Sequence, residues 1–300
     1  MLAVTILGNN SAVPAHGRHP TSQVIQTYDH KFLVDCGEGT QMQMSAYKVR
    51  PGKINQIFIS HLHGDHYFGL IGLLTSLGLN NRKNEMNIYS PGGLKEIIEL
   101  QFNVANAHLP YPIHFHVLNE EKIVFEDKKI EIECFRVNHR IECWGFIFRE
   151  KKNMRRLNPS AIAKHEVPIS CYEMLQEGKD YISPGNKIIK NEDLTKEGPH
   201  SFSYAFCADT GYFENIICKI KNVDLLYHES TYLDALEEKA VARFHSTAKQ
   251  AATVAKKANV KKLLLGHFSS MYEDVSDFQK EASEVFENTE CALEGVCYLA

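Results

Sequence analysis

Ile57-Phe58-Ile59-Ser60-His61-Leu62-His63-Gly64-Asp65-His66 decides the reading of this 300-residue chain. A short apolar run that reads as a buried strand is followed at once by four side chains that can each donate to a metal. Side chains alternate along an extended chain, so His61 and His63 leave the strand end on one side and can share one ion. Gly64 permits a sharp turn, which brings Asp65 and His66 round to a second ion at the start of the next helix. Imidazole nitrogen and carboxylate oxygen suit Zn²⁺, with open coordination positions left for water. A lone histidine is usually structural; three with an aspartate in six residues point to a metal centre.

A two-ion site needs further ligands, and three positions sit at strand ends as His61 does. His139 follows the run Ile130 to Val137, Asp209 follows Ser203 to Cys207, and His267 follows Lys262 to Leu265. Asp209 carries two oxygens and can bridge two ions. The wider sequence is compatible with such an enzyme. At 44% hydrophobic the chain can bury a large core, either as one large α/β domain or as two smaller ones. It has no stretch of about 18 apolar residues and no secretory leader pattern, so it reads as a soluble, unsecreted protein. Eight cysteines without any Cys-x-x-Cys pair read as buried reduced thiols. A net charge of −4 and a pI near 6.4 argue against bulk coating of nucleic acid and leave room for a local basic patch.

Periodicity predicts strands at Val4 to Leu7, Val24 to Thr27, Phe32 to Val34 and Gln56 to Ile59, then helices over Phe68 to Leu79 and Lys95 to Val104. Strands follow at His114 to Val117, Ile123 to Phe125, Ile130 to Val137 and Trp144 to Phe148. The second half predicts strand Ser203 to Cys207, helix Phe213 to Lys219, strand Val223 to Tyr227, helix Ser246 to Ala258, strand Lys262 to Leu265 and helix Val275 to Glu287. Two halves of this kind imply sheet packed on sheet with helices outside. Between them Glu150 to Gly198 is too long and too polar for an ordinary connection, and reads as a functional protrusion.

Further motifs accompany the metal run: Asp35-Cys36-Gly37-Glu38-Gly39-Thr40-Gln41, Ala208-Asp209-Thr210, His228-Glu229-Ser230-Thr231, His245-Ser246-Thr247 and Gly266-His267-Phe268-Ser269. In order and spacing the set resembles the metallo-β-lactamase superfamily and, within it, the ribonuclease Z family of tRNA 3′-processing endonucleases. The resemblance covers nearly the whole chain. It implies an α/β metallo-β-lactamase fold, an αββα sandwich of two mixed sheets with outer helices, in a single domain over 1–300 with a flexible tRNA-binding arm inserted at 150–198. It implies two Zn²⁺ per chain, one on His61, His63 and His139, the other on Asp65, His66 and His267, with Asp209 between them. Asp65 would also orient or deprotonate the attacking water, and His245 with Glu229 would handle the leaving-group proton. Asp35 would brace the loop beneath the site or do more, and His228 would stand behind it.

The chemistry suits these residues, because two cations neutralise an anionic phosphodiester and lower the pKa of a water to about 7. A histidine can protonate the departing 3′-oxygen. The expected products are a tRNA ending in 3′-OH and a 5′-phosphorylated trailer. The inserted segment opens with Arg149-Glu150-Lys151-Lys152-Asn153-Met154-Arg155-Arg156, five positive charges to one negative. Lys151, Lys152, Arg155 and Arg156 are thus candidate RNA contacts, since phosphates dominate nonspecific affinity. Arg18, in the loop Pro14 to Pro20, is a candidate nearer the cut. The chain departs from the family pattern in three places: the arm tip around Val167-Pro168 lacks a second Pro and a Gly, His19 stands where Asn is usual, and Met271 where Arg is common. The resemblance also implies a cytoplasmic homodimer acting on precursor tRNA without a membrane. Two other readings compete: a hydrolase of small phosphodiesters or esters, which would not need so long an insertion, and a metal-free binding module, which no replaced ligand position supports.

Overall fold

A computed structural model describes residues 1–300. Contacts divide the chain into two units, one of Met1–Asp127, Glu131–Arg149 and Phe202–Ala300, the other of Lys128–Ile130 and Glu150–Ser201.

The larger unit is built on two seven-stranded sheets. In spatial order the first runs Cys297–Leu299, Ala3–Gly8, Ser22–Gln26, Lys31–Cys36, Ile54–Phe58, Met86–Ser90 and Ile113–Val117. The second runs Thr289–Cys291, Lys262–Gly266, Leu225–Glu229, Ser203–Cys207, Trp144–Glu150, Ile130–Arg136 and Lys122–Glu126. Both are mixed. Ser22–Gln26 pairs antiparallel and Ile54–Phe58 parallel with Lys31–Cys36 in the first; Ser203–Cys207 pairs antiparallel with Trp144–Glu150 and parallel with Leu225–Glu229 in the second.

Alternation sorts the side chains of each strand between two layers. Phe32 and Phe58 of the first sheet meet Phe146 and Phe148 of the second, with ring centroids 5.3 to 5.7 Å apart. Their neighbours Leu33 and Ile57 point the other way, into a core shared with helices Leu70–Leu79 and Leu94–Val104. Ile147 and Leu226 do the same on the far side, against helices Ala248–Lys257 and Ser276–Ser283. The layers are therefore helix, sheet, sheet, helix, as the resemblance implied. The helix at Ala248 starts one residue after Thr247, whose hydroxyl accepts from Gln250 N while the Gln250 side chain accepts from Thr247 N.

Several expectations need correction. The helix expected over 213–219 is only a single 3₁₀ turn, Glu214–Ile216. The helix expected over Phe68 to Leu79 is Leu70–Leu79, and a separate short helix, Gly64–Tyr67, precedes it. The strand expected at 223–227 is Leu225–Glu229, which carries His228 and Glu229 into its buried end. Cys218 and Cys297 are exposed, so the thiols are not uniformly buried.

The smaller unit is more ordered than the arm expected at 150–198. It holds two ribbons, Arg156–Leu157 with Thr195–Lys196 and Tyr181–Ile182 with Ile188–Ile189. Three short helices, Pro159–Lys164, Tyr172–Gln176 and Asn191–Leu194, accompany them. Ile162, Val167, Leu175, Tyr181, Ile189 and Leu194 bury one another in a core of its own. Asn191 Nδ2 is spent inside, donating to the carbonyls of Leu175 and Lys179, both at 2.8 Å.

Candidate metal centre

The seven candidate ligands converge where strands of both sheets end. Parallel strands aim their carboxyl ends at one edge, where loops are free to carry chemistry. His61 and His63 lie just beyond Ile54–Phe58, His139 beyond Ile130–Arg136, Asp209 beyond Ser203–Cys207, and His267 beyond Lys262–Gly266. The seven form two groups: one ligand atom each from His61, His63, His139 and Asp209 all lie within 4.8 Å of one another, and so do those of Asp65, His66 and His267; a third set, Asp209, His245 and His267, overlaps both. Asp209 spans them, with Oδ2 3.7 Å from His61 Nε2 and Oδ1 3.4 and 3.2 Å from His66 and His267 Nε2.

Four of the five candidate-ligand rings are turned by an acceptor on the outer nitrogen. His66 Nδ1 donates to Asp35 Oδ2 at 2.7 Å, and His61 Nδ1 to Ser60 Oγ at 3.0 Å. His139 Nδ1 donates to the Phe244 carbonyl at 3.0 Å, and His267 Nδ1 to Thr231 Oγ1 at 3.0 Å. These partners leave Nε2 of all four rings facing inward, the arrangement that orients metal-binding imidazoles. His63 is reversed: its Nδ1 lies 2.9 Å from His61 Nε2 and 3.2 Å from His139 Nε2.

Asp35 does more than brace a loop. Its Oδ1 accepts from Ser60 N at 2.7 Å and its Oδ2 from Ser60 Oγ at 2.8 Å, so one carboxylate sets the rings of both His66 and His61. Asp35 and His267 both have positive φ, 55° and 59°. Such backbone is costly for residues other than glycine, by roughly 1–3 kcal/mol, and persists where its surroundings over-determine it. Gly64 was expected to supply a turn that only glycine can make, but its φ is not positive. A Cβ there would lie 2.1 Å from the rim of the Phe68 ring, an exposed side chain free to swing aside.

The donor set fits metal cations. His66 Nε2, His267 Nε2 and Asp209 Oδ1 are buried, face one another, and have no hydrogen-bond partner. Buried polar atoms are seldom left so, because each costs roughly 1–3 kcal/mol unsatisfied. Burial alone would raise the pKa of Asp65 and Asp209, yet the surrounding histidines hold both below the ordinary carboxylate range. Burial likewise disfavours the charged form of His66, and the carboxylates of Asp209, Asp65 and Asp35 overcome it, raising the pKa. Around His66 the carboxylates thus offset desolvation, whereas at His61, His63 and His139 burial prevails and holds the imidazoles neutral by lowering their pKa.

His245 stands beside the cage. Its Nδ1 donates to Glu229 Oε1 at 2.8 Å. Glu229 is wholly buried and also accepts from Thr210 N, Ser246 N, Thr231 N and Thr231 Oγ1 at 2.9 to 3.2 Å. Burial opposes protonation of His245, but Glu229 overcomes it and lifts its pKa to about 9. A cation on Asp209 and His267 would pull that value back down. His228 stays apart: its Nδ1 donates to the Glu229 carbonyl at 2.7 Å, and burial lowers its pKa.

A cavity of about 750 Å³ opens over the cage, lined by His63, Asp65, His139, Asp209 and His245 together with Arg140, Arg243 and Glu38. Arg18 does not line it. Its guanidinium donates to Asn10 Oδ1 at 2.9 Å and to the carbonyls of Glu273 and Tyr272 at 2.8 and 2.5 Å, so it ties two loops together. Among the basic residues of the smaller unit, Arg155 is engaged with Thr195 Oγ1 at 2.7 Å and Glu197 at 3.0 Å, whereas Lys152 and Arg156 are exposed. Sequence reasoning missed the roles of Ser60 and Thr231, although both lie inside motifs it had singled out. It also missed the Phe244 carbonyl and the Ala12 N–H, which donates to Asp65 Oδ2 at 2.8 Å; backbone groups leave no residue-type signal.

The sequence and the fold have counterparts among known proteins. Residues 2–155 match the family model described as anti-Pycsar protein Apyc1. Ribonuclease Z of Porphyromonas gingivalis strain W83 is 40% identical over 294 residues, 97% of each chain. Ribonuclease Z of Cytophaga hutchinsonii is 42% identical over 293 residues, 97% of this chain and 93% of that one. The crystal structure of human tRNase Z, short form, superposes with a TM-score of 0.72 at 25% identity, covering 99% of this chain and 98% of the other. The metallo-β-lactamase fold protein YhfI of Bacillus subtilis shares the fold, with a TM-score of 0.70 at 19% identity over the whole of both chains. The Apyc1 match ends at residue 155, whereas the ribonuclease Z relatives align through the smaller unit and the second sheet as well. The chain belongs to the ribonuclease Z family.

Proposed function

We propose that this protein is a metal-dependent endoribonuclease that hydrolyses the phosphodiester at the 3′ end of precursor tRNA, releasing a tRNA with a 3′-OH and a trailer with a 5′-phosphate. The observation that carries the reading is the pair of ligand groups joined by Asp209, beneath a cavity that His245 also lines. His61, His63 and His139 would hold one zinc ion, Asp65, His66 and His267 a second, and Asp209 would touch both. Ions so placed supply charge to neutralise the phosphate and to acidify a water.

The protein's own groups do the rest. Asp65 is held through Oδ2 by Ala12 N–H and would orient the attacking water. As water adds to phosphorus and the bond to the 3′-oxygen breaks, His245 would pass its proton to that oxygen, and Glu229 would steady the imidazolium before transfer. The phosphate stays on the trailer.

Lys152 and Arg156 would meet the RNA backbone from the smaller unit, since they are the exposed cations of that basic run with no partner of their own. A homodimer is supported by the apolar surface around Ile71, Leu100, Phe102 and Val104, where Leu100 and Val104 are 63% and 80% exposed. No helix is long and apolar enough to cross a membrane, and we assign the protein to the cytoplasm, where precursor tRNA is found. The test is to incubate the purified protein with a 3′-extended precursor tRNA and map both new ends. The expected ends are 3′-hydroxyl and 5′-phosphate; a 2′,3′-cyclic phosphate with a 5′-hydroxyl would contradict the hydrolytic route.

A further inference from the structure

Arg140 makes one side-chain contact: its Nη2 lies 3.0 Å from His63 Nε2. That contact is incompatible with a loaded cage. His63 turns Nδ1 toward His61 Nε2 and His139 Nε2, at 2.9 and 3.2 Å. A neutral imidazole that gives the lone pair of one nitrogen to an ion keeps its hydrogen on the other, here Nε2. A guanidinium has donors only. Two N–H groups would then face each other at hydrogen-bond distance, and the arginine must leave.

It has somewhere to go. Arg140 is exposed and lines the cavity over the cage. Its backbone is anchored, because the preceding residue, His139, donates through Nδ1 to the Phe244 carbonyl. Apart from the candidate ligands and His245, the charged groups lining the cavity are Arg140, Arg243 and Glu38, so outside the ligand set two cations stand against one carboxylate. No acid pairs with Arg140. A planar fork of donors that reaches His63 at the rim of the cage matches two oxygens of a phosphate.

We propose that Arg140 grips the non-bridging oxygens of the scissile phosphate, its guanidinium moving off His63 when metal binds. It makes and breaks no bond; it binds substrate, and its charge offsets the negative charge that grows on those oxygens during attack. The proposal rests on the reading that the cut leaves its phosphate on the trailer.

The test uses the zinc-loaded full chain and two trailer oligoribonucleotides of one sequence, 5′-phosphorylated and 5′-hydroxyl, titrated calorimetrically. R140A and R140Q should each bind the 5′-phosphorylated trailer about 10- to 100-fold more weakly, the span expected for a charge-assisted forked contact. The 5′-hydroxyl trailer should bind as it does to the wild type, and elemental analysis should find unchanged zinc. R140K, which keeps the charge and loses the fork, should fall between. Equal affinity of wild type and R140A for the phosphorylated trailer would overturn the proposal. So would loss of an ion in R140A, which would make the arginine a support for His63. Failure of the wild type to cut precursor tRNA would instead sink the functional reading, so the two failures are separable.

Discussion

The cage and the smaller unit solve opposite problems. At the cage, polar groups are buried and each is aimed: His61, His66 and Glu229 are 0% exposed, and every candidate-ligand ring but His63 has a fixed acceptor on its outer nitrogen. Two apolar cores lie behind the sheets whose strand ends carry these groups. In the smaller unit six buried apolar side chains hold about fifty residues, and the charges lie outside in surface pairs such as Lys190 with Asp180 and Lys179 with Glu177. Exposed pairs of that kind stabilise little, about 0–1 kcal/mol each. Bond-breaking needs reacting groups held within a fraction of an ångström, whereas attraction of a polyanion needs only charge within a Debye length. On the proposed reading, the chain would put its packing where the first demand is and leave thinly supported surface for the second.

The comparison can be broken most sharply at Asp65. Asp65→Ala should abolish cleavage and leave the circular dichroism of the fold intact, because the carboxylate serves the cage and the water, not a core. Wild-type single-turnover rates would show that the catalytic carboxylate lies elsewhere. His245→Ala should slow precursor tRNA cleavage by roughly 10² to 10⁴, the range for losing a general acid, with bound metal unchanged. A nitrophenyl phosphodiester, whose leaving group needs no proton, should lose far less; equal losses on both substrates would make His245 structural.

The smaller unit should respond more weakly and in a different currency. Lys152 and Arg156 changed together to Ala should weaken precursor tRNA binding by about tenfold at moderate salt and lower the log–log salt slope by about 2, one for each lost phosphate contact. Hydrolysis of the nitrophenyl substrate should not change. An unaltered salt slope would remove these residues from the RNA path. Arg155 is left out of this pair because Thr195 and Glu197 already engage it.

How much of this was legible in the sequence follows from the range of the interactions. The seven candidate ligands could be read because they stand in the His61 to His66 run or at the ends of other apolar strand runs, and the layer order could be read from two halves that each hold strands and then helices. Helix Thr40–Ala46 was missed because Thr-Gln-Met-Gln-Met-Ser-Ala carries only a weak apolar stripe, although it buries Thr40, Gln43 and Met44. Strand Met86–Ser90 was missed because polar Asn87 and Ser90 break up its short apolar run, and neighbours on both sides make it a strand. Arg18 was read as a cation for substrate because its partners at Tyr272 and Glu273 are backbone carbonyls some 254 residues away. The core of the smaller unit was hidden because its six apolar residues are spread irregularly through a polar stretch. The family resemblance supplied what spacing could not: which candidate ligands belong together, and the role of His245.

The most direct test of the account is the metal content of protein purified without chelator, read beside its activity on precursor tRNA. Seven donors in two groups joined by Asp209 predict about two zinc ions per chain, with activity lost on chelation and restored by zinc. Protein that reproducibly carries almost no metal and still cuts precursor tRNA at full rate would contradict it.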